Sequence, residues 1–154
     1  MLPELIQIMK AVQATAFSLY LKAHNFHWNV VGPNFSEYHE FFGEYYDTVW
    51  NSVDDFAEHT RTLGSFVPGS LSRFSELTRI SDENSLLSAD QMFSQLYADN
   101  AAFIELLNET HELAVSNKKY GIVNFLEDRI DWHNKMHWML GAFLSKLNNT
   151  LEQE

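Results

Sequence analysis

Hydrophobic and polar residues recur along this chain with the period of an α-helix almost from its first residue. Leu5, Ile8, Met9, Val12, Ala16, Leu19, Tyr20, Ala23 and His27 follow three- and four-residue spacing, which lays them on one stripe and predicts a first helix from about Pro3 to Val30. Proline is tolerated in a first turn, where the amide it lacks would have no partner. Val31-Gly32-Pro33-Asn34 interrupts the pattern. A second stripe of Tyr38, Phe42, Tyr45, Val49, Val53 and Phe56 then predicts a helix from Asn34 or Phe35 to Leu63, stopped by Gly64. Ser65 to about Ser85 reads as a long connection containing a short amphipathic helix around Ser72 to Leu77. Ser88 suits an N-cap before Ala89-Asp90-Gln91. It opens a third helix to about Asn117, with Met92, Leu96, Phe103, Leu107 and Ala114 as its stripe. A fourth runs from Tyr120 or Gly121 to Leu147, with Val123, Leu126, Ile130, Met136, Leu140, Phe143 and Leu147 apolar. Four long amphipathic helices, with a crossing connection between the second and third, predict an all-α four-helix bundle, one domain over residues 1–154.

The same pattern places four side chains with metal-ligand chemistry. With the first turn centred near Pro33, His27 lies six positions before it and His39 six after, so an antiparallel hairpin sets the two imidazoles side by side. Asp54 and Glu58 are one helical turn apart and share a face. Asp54, however, is fifteen residues past His39, roughly 22 Å along one helix at ~1.5 Å per residue. One metal ion cannot be held by both ends of one helix. At ~100° per residue the carboxylates fall nearly opposite their own helix's apolar stripe, so histidines joining them should come from a neighbouring chain. A two-fold axis relating antiparallel hairpins would supply them. Plainer readings stand beside this one. A histidine at the edge of an apolar stripe is ordinarily structural, and acids such as Asp47, Asp54, Asp55 and Glu58 ordinarily form a solvated face. His24 reads as structural or as a neighbour of the site. His133 and His137 have the i, i+4 spacing that can chelate a metal, but no third ligand is evident and they read as structural.

The run His24-Asn25-Phe26-His27-Trp28-Asn29-Val30, continuing through Gly32, Pro33, Phe35 and His39 to Asp54, Ala57, Glu58 and Leu63-Gly64, resembles the Dps family ("DNA-binding protein from starved cells") of ferritin-like proteins. Pro68-Gly69-Ser70-Leu71 with Phe74, Leu77 and Ile80 is similar to that family's helical connection, and Trp138-Met139-Leu140 with Phe143-Leu144 to its last helix. The resemblance covers nearly the whole chain. It implies a ferritin-like bundle assembled as a homo-oligomer, a hollow dodecamer. It further implies ferroxidase activity at inter-subunit sites, with hydrogen peroxide as the expected oxidant, and ferric storage that protects against oxidative damage. His27 and His39 of one chain, with Asp54 and Glu58 of its mate, would be the iron ligands, and zinc a substitute cation. Trp28 would be either an electron donor beside the site or plain packing. Iron rests on the resemblance, since affinity alone favours copper or zinc over ferrous iron.

The chain departs from the family's pattern in two places. Gly43 stands four residues after His39, where the family often has a carboxylate, with Glu40 and Glu44 as displaced substitutes. The second iron position is thereby weakened or occupied only transiently. His59 follows Glu58 where the family commonly has Arg, with Arg61 close by. Glu127, Asp128 and Asp131 fall where assembled shells of the family have acidic three-fold pores, although Asn124 occupies a position that is often an acid there.

Composition narrows the alternatives. The chain has no cysteine, which excludes disulfides, thiol chemistry and Cys-ligated zinc. A net charge of −11, from 21 acids against 10 bases, repels nucleic-acid phosphates and concentrates cations. The first nine residues hold no Lys or Arg, and Leu151-Glu152-Gln153-Glu154 is acidic, so DNA binding through a tail is not expected. No apolar run approaches ~18 residues and no secretory leader pattern is present, which makes the cytoplasm the expected location. Phosphate-loop and His-Glu-x-x-His sequences are absent, as is the pair of Glu-x-x-His segments of a single-chain di-iron site. Two rival functions remain: a DNA-compacting nucleoid protein, and a shell impaired in oxidation that buffers metal, which Gly43 keeps open.

Overall fold

The computed structural model describes residues 1–144, so the expected helix end at Leu147 and the acidic segment 151–154 lie outside the described residues. Five helices form: α1 (Leu2–Asn29), α2 (Phe35–Thr62), α3 (Leu71–Leu77), α4 (Ala89–Ser116) and α5 (Tyr120–Leu144). Each begins and ends within a residue or two of where the periodicity and punctuation place it, as far as the described residues reach. Gly64, at φ +89°, takes the left-handed conformation that ends α2. Ser88 caps α4 in a full capping box, its hydroxyl accepting from the Gln91 amide while the Gln91 side chain accepts from the Ser88 amide.

Cross-helix partners give the topology. Lys22 of α1 pairs with Asp99 of α4 at 2.6 Å. Tyr45 of α2 donates to Asn100 of α4 at 2.8 Å, whereas Tyr38, nearer the start of α2, meets Phe93, nearer the start of α4. α2 and α4 therefore run parallel. Tyr97 of α4 stacks on His137 of α5, while His111 further along α4 reaches Glu127 further back on α5, so that pair is antiparallel. The result is an up-down-down-up bundle, and residues 63–88 cross its length. That crossing is tied to α1 by Gln13 Nε2 donating to the Pro68 carbonyl at 3.0 Å and by the Arg79 amide donating to Thr15 Oγ1 at 3.1 Å.

The core lies between the four long helices. Phe26, Phe42, Tyr45, Phe56, Phe103, Leu96, Leu107 and Leu126 are almost wholly buried. At one end Phe41 and Phe42 pack on Phe93 and Phe143; further along, Phe56 sits edge-on to Phe103 and Phe125. Burying such side chains stabilises by roughly 1.5–3 kcal/mol each, and this holds the α1–α2 hairpin in one register. Among the described residues no helix is long and apolar enough to cross a membrane.

Candidate metal centre

The turn between α1 and α2 spans only residues 30–34, so the last turn of α1 lies against the first turns of α2. His27 and His39 meet there in reciprocal fashion. His27 Nδ1 donates to the His39 carbonyl at 2.7 Å, and His39 Nδ1 donates to the His27 carbonyl at 2.7 Å. The rings stack with centroids 3.7 Å apart and 18° between planes. A carbonyl oxygen can only accept, so each Nδ1 carries its proton, and in the neutral ring each Nε2 keeps a lone pair. No hydrogen bond from a described residue uses either Nε2. Backbone carbonyls thus fix the tautomer and ring orientation of two parallel nitrogen donors, which is how metal-ligating histidines are ordinarily held.

Gly43 makes this packing possible. A Cβ built there would lie 3.1 Å from both Cε1 and Nδ1 of His27, tighter than ordinary contact. The His27 ring occupies the space a side chain would take, so position 43 contributes no ligand.

Asp54 and Glu58 are exposed on α2, one turn apart, with no hydrogen bond or ion pair to another described residue. Since α2 is unbroken from Phe35 to Thr62, the two acids stand roughly 22 Å from His39 along the axis. Among the described residues of one chain, no three His, Asp or Glu converge to hold a metal ion. The structure brings the two imidazoles together and the two carboxylates together. It does not join the pairs within one chain.

Around the imidazoles lies an aromatic cluster that sequence reading resolved only in part. Trp28, 59% exposed, stacks on His24 at 3.8 Å rather than on His27. His24 is the middle ring of a sandwich, with Tyr46 on its other side at 3.9 Å and 8°. Tyr46 in turn lies 5.3 Å from His27, and Tyr20 places its hydroxyl 3.1 Å from His24 Nδ1. Burial, and then His27, hold His24 below its ordinary pKa of 6.5. The sequence reading named Tyr20 only as part of the first helix's apolar stripe and did not name Tyr46, although the i, i+4 spacing of Tyr20 and His24 is the available signal.

The other candidates resolve differently. His133 is buried in the core, its Nδ1 2.7 Å from Asn100 Oδ1, and burial followed by Arg129 lowers its pKa to about 3. It is a neutral core residue. His137 stacks on Tyr97 at 4.1 Å. Of the acids near the start of α5, Glu127 pairs with His111 and Asp128 with Arg129, each at 3.0 Å, while Asp131 is exposed. His59 stacks on Phe125 and its Nδ1 donates to the Asp55 carbonyl.

This bundle, with its paired imidazoles and paired carboxylates, points to a class of protein, and comparison with known proteins agrees. Residues 6–150 match the Ferritin family, described as a ferritin-like domain, and the chain belongs to it. Within that family it belongs to the Dps group. It is 33% identical to the DNA protection during starvation protein of Helicobacter pylori, over 90% of this chain and 97% of that one. The crystal structure of a Dps protein from Bacillus brevis superposes with a TM-score of 0.89 at 29% identity, covering 93% of this chain and 96% of that one. Antigen TpF1 from Treponema pallidum superposes with a TM-score of 0.90 at 26% identity, covering 93% and 92%.

Proposed function

We propose that the chain is a mini-ferritin that oxidises ferrous iron and stores it as ferric mineral, with each oxidation site built from two copies of the chain. His27 and His39 of one copy supply two nitrogen donors. Asp54 and Glu58 of the other supply oxygens that stabilise ferric over ferrous iron. The observation that carries this reading is the reciprocal Nδ1 bonding of His27 and His39, which leaves two neighbouring Nε2 lone pairs that accept no hydrogen bond from any described residue. The unpaired carboxylates of Asp54 and Glu58 are its complement. Leu21, Trp28, Trp50 and Leu71, all exposed in the single chain, give the outer side of α1, α2 and α3 an apolar surface suited to a second copy.

Open coordination positions would admit an oxidant, and membership of the Dps group favours hydrogen peroxide as that oxidant and a dodecameric shell as the assembly. The net charge of −11 supports cation uptake and speaks against DNA compaction as the main task. Stopped-flow absorbance after mixing ferrous salt and peroxide with the protein tests the reading. Ferric absorbance should rise well ahead of a protein-free control, and Asp54→Ala with Glu58→Ala should bring the rate down to that control. A wild-type rate no faster than the control, with metal still bound, would instead favour the metal-buffering shell. A gel shift at low salt that shows a stable complex would restore the DNA-compacting alternative.

A further inference from the structure

We propose that Tyr20, hydrogen-bonded to His24, is a proton-coupled electron donor that supplies through Tyr46 the second electron needed when the site oxidises a single ferrous ion with hydrogen peroxide. This rests on the iron-oxidising reading above and adds to it a route for the electron that one iron cannot provide.

The need follows from stoichiometry. Reducing hydrogen peroxide to water takes two electrons, and a ferrous ion gives one. Position 43 is a glycine packed closely against the His27 ring, and it offers no carboxylate to anchor a second iron. With one electron only, the O–O bond breaks to give hydroxide and a hydroxyl radical. A second donor close to the site prevents that outcome.

Four oxidisable rings are contiguous there. Tyr46 is 5.3 Å from His27 between centroids, Tyr20 is 6.0 Å from Tyr46, and Trp50 is 4.6 Å from Tyr20. Trp28 joins the same array through His24, which stacks at 3.8 Å on Trp28 and 3.9 Å on Tyr46. Each step is near van der Waals contact at the ring edges, so electron transfer along the array is not limited by distance.

Proton handling selects Tyr20. A phenol that loses an electron becomes a strong acid and must give up its proton at once. Of the two tyrosines in the array, Tyr20 is the one whose hydroxyl meets an imidazole nitrogen, His24 Nδ1 at 3.1 Å. With the His24 proton on Nε2, that hydrogen bond aims the Tyr20 proton at Nδ1.

The step balances. The ferrous ion gives one electron and becomes ferric. Tyr20 gives the other, becomes a neutral tyrosyl radical, and passes its phenol proton to His24 Nδ1. Hydrogen peroxide takes both electrons, its O–O bond breaks, and two hydroxide ions form, which ferric ion takes up as it hydrolyses to mineral. The next ferrous ion to bind returns one electron through the array while His24 returns the proton, restoring the phenol. Two ferrous ions are then oxidised per peroxide one after the other, and Tyr20 stores the electron deficit between them. Trp28 and Trp50 lie on the surface assigned above to a second copy, so assembly shields the oxidised rings from water.

Freeze-quench electron paramagnetic resonance of the full-length assembled protein, mixed with one ferrous ion per chain and hydrogen peroxide, tests this. Wild type is expected to show a tyrosyl radical signal that Tyr20→Phe loses, with a rise in hydroxyl-radical spin adduct in the variant. The His24→Phe variant keeps a ring in the stack and removes the base, and it should lose the Tyr20 radical as well. An unchanged tyrosyl signal in Tyr20→Phe, alongside fast iron oxidation, overturns the role of Tyr20; its persistence in His24→Phe overturns the proton path. Slow oxidation in the wild type would mark failure of the iron-oxidising reading instead. A ruthenium photo-oxidant with persulfate then tests the pair without iron: a tyrosyl yield that falls in Tyr20→Phe supports the donor, and an equal yield in both proteins overturns it.

Discussion

At the scale of single residues, two positions carry consequences that their identity alone would not suggest. A glycine within a helix costs roughly 1 kcal/mol against alanine, yet Gly43 sits in the middle of α2 because the His27 ring lies where its Cβ would be. Gly43→Ala therefore sets two effects against each other. Helix propensity gains up to about 1 kcal/mol, while His27 must shift by a few tenths of an ångström and strain the Nδ1 bond that orients it. Thermal melting should change little or rise, and metal affinity measured by calorimetric titration should fall. His133 gives a pH prediction. Its folded pKa of about 3 lies below the ordinary 6.5, so its contribution to stability is complete above pH 6.5 and is lost as pH falls toward 3. Through that window the loss is about 1.4 kcal/mol per pH unit per chain. His133→Leu should lower stability at pH 7 by about 0.5–1.5 kcal/mol, the net worth of one hydrogen bond, since Asn100 Oδ1 keeps Tyr45 as a donor, and should flatten the decline in melting temperature between pH 6.5 and pH 3.

At the scale of the helices, the pattern of apolar positions was sufficient to place all five elements, helped by local chemistry at several boundaries: a proline in the first turn of α1, a left-handed glycine after α2, a capping box before α4. Ser88→Ala removes one side of that box and should cost about 1 kcal/mol, read as a lower melting temperature with helix content retained. The hairpin between α1 and α2 was equally legible, since a short turn forces residues equidistant from it into contact, and His27 meets His39 as expected. What the pattern did not contain is how rings stack. Whether Trp28 faces His27 or His24 depends on side-chain rotamers, and the structure sets it on His24. The hydrogen-bonded group of Tyr45, Asn100 and His133 was likewise hidden, because its members come from three helices far apart in sequence. Periodicity marked Tyr45 only as core and read His133 as structural, without showing what either touches.

For the whole molecule, the decisive fact is that α2 is one unbroken helix between its histidine end and its carboxylate end. No rotamer change within one chain can bring Asp54 to His39. On the proposed reading the chemistry is a property of the assembly, and subunit contact and oxidation should be lost together. Charged substitutions at Trp50 and Leu71, on the apolar outer surface, should release smaller species in analytical ultracentrifugation and abolish fast iron oxidation, although none of the four ligands has changed.

Subunit complementation tests the sharing of the site most directly. One chain carries His27→Ala and His39→Ala, the other Asp54→Ala and Glu58→Ala; each is inactive when assembled alone. When the two are unfolded, mixed equally and reassembled, half of the pairs are mixed, and in each mixed pair one of the two sites is whole. Ferrous oxidation should return to about a quarter of the wild-type rate. A mixture as inactive as its two parents, with mixed assembly verified by mass spectrometry, would contradict a site built from two chains.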